Sequence, residues 1–356
     1  IGKITDGSPT DYMVGYYEEK AKGGVAQVTV GDTPVEERGF TTPRHPILTQ
    51  KTVQKWSEVA RAITQHGAIA SIELNHGGRI SNTSVTGFQT VGPIDEVKLN
   101  GTKVKGATKE DLEEIANAYG EAAKVAVQAG FQMVMLHGAH GWLLDQMLSP
   151  KFNTRTDEFG GSFENRCRFP LMVIEKVKAV LGDKTPLILR LGADDFVPGS
   201  NTLEDSMAFA PLAQQAGVDL FNVTGGWHET KIPQLTGDLP RGGLSYLGKG
   251  IRSVVSVPVM MCNRVSDPTT AEKLLALGRA DLVGFGRPLI VDPDLPNKAL
   301  AAQTEQIRPC MACNQGCLAN TFFDRPITCL VNGICGRELQ YPIVPAQSPK
   351  KILVIG

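Results

Sequence analysis

Phe131-Gln132-Met133-Val134-Met135-Leu136-His137-Gly138-Ala139-His140-Gly141-Trp142 reads as a short apolar run that empties at once into a polar, glycine-bearing loop. Such a run suits a strand buried on both faces of a parallel sheet. The cadence recurs along the chain: apolar runs at 25–30, 68–74, 187–191, 220–223, 257–261 and 282–285. Amphipathic helices fill the gaps. The clearest opens at Thr108 with Asp111 three residues on, a variant of the capping box, and closes at Gly130. A second opens near Thr202-Leu203-Glu204-Asp205, and a third follows Asp267-Pro268. Seven strands alternating with helices predict an α/β fold of the (β/α)8 TIM barrel type, which needs eight to close. The eighth is expected upstream of Ile1, where the chain starts without Met. A doubly wound open sheet is the alternative. The polar motifs favour the barrel, because nearly every strand is followed by one and barrels build their sites on that face. The stretch 86–106 reads as a loop or hairpin inserted over it.

A formal charge of -1 over 356 residues gives no sign of a nucleic-acid partner or a basic membrane surface. No apolar run approaches the roughly 20 residues that cross a bilayer. Seven cysteines, five of them near the C-terminus, do not form the pattern of a secreted disulfide scaffold. The expected compartment is a reducing cytoplasm.

The loops carry the candidate chemistry. In Glu73-Leu74-Asn75-His76-Gly77-Gly78-Arg79, Glu73 ends a strand, where it could hydrogen-bond the pyrimidine edge of a flavin; the plain alternative is a solvated glycine turn. His137 and His140 could together hold a substrate carbonyl oxygen, with metal ligation or a structural pair as alternatives. Arg190 is placed to stabilise an anionic reduced flavin, or to form a helix-covering salt bridge. In Thr224-Gly225-Gly226-Trp227-His228-Glu229, the glycines allow close backbone approach, and His228 has the intrinsic pKa, about 6.5, of a proton donor near neutrality. A buried, satisfied histidine is the competing reading. Asn263-Arg264 and Gly286-Arg287-Pro288 follow the last two strands, the usual place for a phosphate; alone, either would be a solvated arginine.

Cys310, Cys313, Cys317 and Cys329 are spaced C-x2-C-x3-C-x11-C. A structural zinc site more often shows two C-x2-C pairs, and disulfides do not suit the compartment. An iron–sulfur cluster fits best, with Cys335 a spare thiol. The stretch 340–350, with Pro342, Pro345 and Pro349, reads as a linker. Lys350-Lys351-Ile352-Leu353-Val354-Ile355-Gly356 looks like the first strand of a dinucleotide-binding unit, or an edge strand at a natural terminus. The expected division is a barrel over 1–300, a cysteine segment over 301–340, and a linker with the start of a further domain over 341–356.

Three stretches carry a family resemblance: Asp157-Glu158-Phe159-Gly160-Gly161-Ser162-Phe163-Glu164-Asn165-Arg166, Gly226-Trp227-His228-Glu229 and Cys313-Asn314-Gln315-Gly316-Cys317-Leu318. Over nearly its whole length the chain resembles the old yellow enzyme superfamily. Within it, the iron–sulfur branch with 2,4-dienoyl-CoA reductase and 2-enoate reductase is most similar. The resemblance implies an ene-reductase in which NAD(P)H reduces FAD, a [4Fe-4S] cluster relays electrons, and FMN gives hydride to an electron-poor C=C bond. It implies FMN contacts from Gly31, Glu73, Arg190, Asn263, Arg264, Gly286 and Arg287. Cluster ligation would fall to the four cysteines, and substrate contacts to Lys151, Glu229, Thr230 and Lys231. The chain departs from the family at two positions. Glu73 stands where Gln is usual, so its carboxyl must be protonated, paired or facing N–H donors. Trp142 stands where a proton-donating Tyr is usual, which leaves His228 as the expected donor and adds a flat wall suited to a ring substrate. The resemblance extends, less closely, to trimethylamine dehydrogenase-like amine oxidation. A non-catalytic electron-transfer flavoprotein is the alternative of another class. The expected partner is a small molecule with an activated C=C bond.

Overall fold

The computed structural model describes residues 6–43, 45–229, 236–323 and 325–355. Ten strands form among the described residues, in chain order: β1 (Gln27–Pro34), β2 (Ile69–Asn75), β3 (Thr90–Gly92), β4 (Glu96–Val97), β5 (Lys103–Gly106), β6 (Met133–Gly138), β7 (Leu187–Gly192), β8 (Leu220–Thr224), β9 (Val259–Met261) and β10 (Leu282–Val283). Seven of them pair in parallel in the order β1-β2-β6-β7-β8-β9-β10. Sequential parallel neighbours joined by helices are the arrangement of a (β/α)8 barrel wall. All seven expected strands are present, the last two shorter than their apolar runs.

The register explains why the strands read as continuously apolar. Leu74, Leu136, Leu189, Phe221 and Val259 sit on facing positions of successive strands and belong to one buried cluster with the helices. The next layer, His137–Arg190–Asn222–Met260, faces the opposite side of the sheet, the barrel interior, because side chains alternate along a strand. The helix Lys109–Gln128 buries Leu112, Ile115, Ala116, Tyr119, Ala122, Ala123 and Ala126 against the sheet and the helix Phe163–Leu181. Its capping box closes with both bonds: Thr108 Oγ1 accepts from Asp111 N, and Asp111 Oδ2 accepts from Thr108 N. Thr202 and Asp205 repeat the device, and Pro268 occupies the first turn after its Asp267 cap.

The inserted stretch is more ordered than the loop or hairpin expected. β4 and β5 form an antiparallel pair, and β3 joins β5 in parallel. At the other end, the expected strand at 352–355 does not form; Ile352, Leu353, Val354 and Ile355 are exposed. The cysteine segment packs on the first helix, Asp11–Lys22, with Leu339 against Gly15 and the buried Lys20 3.7 Å from Glu338. No helix among the described residues is long and apolar enough to cross a membrane.

Candidate active site

The C-terminal ends of the strands bring the predicted loops together. Glu73 of β2 is buried, and Arg190 of β7 donates to its Oε1 at 3.2 Å. The salt bridge weighed for Arg190 therefore exists, but inside the mouth and not over a helix. Burial raises the Glu73 carboxyl above its ordinary value, with Arg190 opposing. A side chain at Gly31 would meet Glu73 Oε2 at 2.7 Å, so glycine is the residue that lets β1 pass the carboxylate. Tyr17 Oη bonds the Gly31 carbonyl at 3.2 Å and holds that backbone in place. Asn75 donates at 2.6 Å to Asp32, whose other oxygen lies 3.5 Å from His45. Burial opposes ionisation of Asp32, yet the facing His45 holds its carboxyl well below the usual range.

Four rings gather at the centre of the mouth. The His137 and His140 centroids lie 5.2 Å apart, His137 and Trp142 5.6 Å, and His140 and His228 5.0 Å. Phe322 of the cysteine segment reaches His228 at 6.3 Å. The left-handed conformation of His140 and the bond from His228 N to its carbonyl hold the β6 and β8 loops in contact. His140 Nε2 is 3.0 Å from Thr224 Oγ1. Burial, reinforced by Arg190, pushes both His137 and His140 well below the ordinary imidazole value, so both are neutral. Burial also lowers His228, to about 4, which corrects the expectation that it titrates near neutrality. His137 Nδ1, Trp142 Nε1 and Arg190 Nε are buried without a hydrogen-bond partner among the described residues. Orphaned polar atoms at one mouth mark the place of a polar heterocycle. Among the described residues no three His, Cys, Asp or Glu side chains gather as a metal-ligand group.

A cavity of about 260 Å³ runs from Arg190 past Cys262, Asn263, Arg264, Gly286 and Arg287 to Cys310 and Cys317. Asn263 and Arg264 both adopt positive φ, a strained pairing for non-glycine residues. The Arg264 guanidinium donates from Nε to the Leu239 carbonyl and from Nη2 to the Gly237 carbonyl. Burial, with the neighbouring cations Arg287 and Arg241, lowers its pKa; such crowding of cations suits an anion. Nothing lies within 4 Å of a side chain built at Gly286, which leaves the cradle open.

Cys310, Cys313, Cys317 and Cys329 all line one small adjoining pocket, otherwise walled by apolar groups such as Ile290, Val291, Met311, Leu330 and Val331. They do not close tightly enough for a single ion. Arg287 and Asn314 also line that pocket, and four thiols at one pocket are a donor set that fits an iron–sulfur cluster. Arg287 Nη1 donates to Asn314 Oδ1 at 2.5 Å, joining the phosphate-type loop to the cysteine loop.

Lys151 and Glu229 lie elsewhere, in a second cavity of about 530 Å³ under the inserted sheet, with Arg79, Lys98, Phe152 and Trp227. Thr230 and Lys231 fall outside the described residues. The 157–166 motif is structural: Arg166 donates to the Leu148 and Gly161 carbonyls and fixes the loop after the helix Leu143–Leu148. Sequence reading missed Asp145 and Asp195. Asp145 accepts from Gly141 N at 2.8 Å, and Asn201 bridges it to Asp195. Burial raises both carboxyls; the Asp195 charge adds to it at Asp145, and the Asp194 charge adds to it at Asp195, which is pushed up to about 7. It also missed Asp32, Tyr17 and Thr224. A carboxylate one residue past a strand glycine was the one local signal, at Asp32.

The sequence profile of the NADH:flavin oxidoreductase / NADH oxidase family matches residues 2–306. A metal reductase of Desulforamulus reducens is 39% identical over 100% of the chain and 53% of its own length. A cinnamate reductase of Clostridium sporogenes is 31% identical over 99% of the chain and 56% of its own length. An N,N-dimethylglycine/sarcosine dehydrogenase of Chromohalobacter salexigens is 32% identical over 99% and 53%. The structure of a 2-naphthoyl-CoA reductase complexed with 2-naphthoyl-CoA superposes with a TM-score of 0.93 at 31% identity, covering 97% of the chain and 55% of that protein. The chain thus spans about half the length of these relatives. With a flavin-type mouth on a parallel barrel wall and a profile match over most of its length, the chain belongs to the NADH:flavin oxidoreductase / NADH oxidase family, a family of oxidoreductases.

Proposed function

We propose that the chain reduces an electron-poor C=C bond conjugated to a carbonyl: an enoate, a dienoyl thioester or an enone. The reading is carried by the gathering of His137, His140, Trp142 and His228 at one mouth, with unpartnered donors on His137 and Trp142. Bound FMN supplies hydride chemistry. Gly31, Glu73 and Arg190 would hold its ring, and Asn263, Arg264, Gly286 and Arg287 its phosphate. Cys310, Cys313, Cys317 and Cys329 would hold a [4Fe-4S] cluster as the entry for electrons from NAD(P)H by way of FAD.

The neutral imidazoles of His140 and His228 donate N–H bonds to the substrate carbonyl and polarise the double bond. As negative charge builds on the carbonyl, it opposes the desolvation that lowers His228 and lifts its proton affinity. His228 is half-buried, so it draws a proton from solvent and passes it to the α-carbon. Trp142 walls the site but has no acid to give. Amine oxidation is the second reading, favoured by the sarcosine dehydrogenase relative.

The test mixes anaerobically reduced protein with cinnamate, an enoyl thioester, a cyclic enone and an N-methyl amine. Reoxidation by an alkene supports the reading; turnover of the amine alone overturns it. His228→Ala should leave the flavin reducible while alkene reduction falls by about 10²–10⁴-fold.

A further inference from the structure

We propose that Arg79 and Lys98 form a receptor for a second carboxylate, carried by a planar unsaturated substrate at the end remote from its activated C=C bond, a seat that Glu229 occupies until the substrate's carboxylate replaces it. The inference rests on the ene-reductase reading and names the substrate class within it. Both oxygens of Glu229 are engaged: Oε2 accepts from Arg79 Nη1, and Oε1 lies 2.6 Å from Lys98 Nζ. The rest of the Arg79 fork belongs to Glu96, with Nε at 2.5 Å and Nη2 at 3.0 Å, so Arg79 has one amino edge to give to a ligand. That edge and Lys98 already hold a carboxylate, which shows the geometry they accept.

The surroundings suit a flat apolar body. Phe152 and Trp227 stack at 4.4 Å and 15°, and Arg79 lies over the Phe152 ring at 4.9 Å. Val97 and Leu99 of the inserted sheet face the cavity with exposures of 70% and 110%. Lys151, on the same wall, has no carboxylate partner among the described residues; its ammonium donates to the Pro198 carbonyl at 3.1 Å. The wall thus carries Arg79, Lys98 and Lys151 against Glu96 and Glu229. An incoming carboxylate exchanges one anion for another, while Glu229, about a third exposed, turns to water. A neutral ligand makes no such exchange. Glu229 therefore competes with acids and lowers their apparent affinity.

The test is equilibrium titration of the oxidised, flavin-loaded protein with 3-(4-carboxyphenyl)propanamide, the acid, and with 3-(4-carbamoylphenyl)propanamide, the amide, read by tryptophan fluorescence. Glu229→Gln should tighten the acid by about tenfold, the size of one charge-assisted contact, and leave the amide within about twofold. Lys98→Met should weaken the acid by a similar factor and spare the amide. If acid and amide shift together in either variant, or the acid does not respond, the proposal is overturned. The probes are saturated and do not turn over, so their binding is read whether or not the alkene assay succeeds. A protein that reduces neutral enones yet binds the acid indifferently to Glu229 sinks this inference alone.

Discussion

A carboxylate at a strand end, Glu73, is legible in the sequence; its partner, Arg190 at 3.2 Å, is not. The pair joins strands separated by more than a hundred residues, a convergence that only closure of the sheet decides. Arg264 allows a sharper test. Its loop carries two positive-φ residues and a crowded cation, and the proposed ligand there is a phosphate. Arg264→Ala should weaken FMN by about 10–100-fold, the cost of a lost charge-assisted contact, and leave riboflavin unchanged, measured by flavin fluorescence titration. Asp195 gives a pH prediction. Unfolded, its carboxyl titrates near about 3.9. Folded, it holds its proton to about 7. Its contribution is therefore full below the lower value and lost as pH rises through the higher one. Asp195→Asn should cost more Tm at pH 5 than at pH 8; equal loss at both would refute the raised carboxyl.

Among elements, the helices were the most readable. Thr108 with Asp111 and Thr202 with Asp205 are local signals, and both close as capping boxes. The strands were readable in position and less so in length: β9 starts two residues inside its apolar run, after Pro258, which has no N–H to give to a ladder, and β10 ends two residues early, before Gly284. The inserted sheet escaped reading because its strands are of two to four residues and alternate too briefly for a period to register. Core cost is predictable at this scale. Ile115 is fully buried between sheet and helix. Ile115→Ala should remove about 2–5 kcal/mol of unfolding free energy by denaturant titration, with the flavin site intact.

At the scale of the molecule, the barrel wall and its functional end followed from the repeated strand-then-polar-loop cadence, since parallel strands share one C-terminal face. Separation into two chambers did not. Lys151 and Glu229 adjoin the mouth residues in sequence, yet they line a different cavity under the insertion. The cysteine spacing suggested a soft-metal site, and gave no sign that Phe322 reaches His228 or that Lys20 meets Glu338. The bond from Arg287 to Asn314 has a consequence for how the protein matures. Under the proposed function this one arginine touches both the flavin-phosphate cradle and the cluster loop, and by linkage any favour that one loading lends the other is returned by the same factor. Cells starved of iron should therefore yield protein that is paler in yellow as well as in brown, and Arg287→Lys should uncouple the two colours when metal and flavin are assayed side by side.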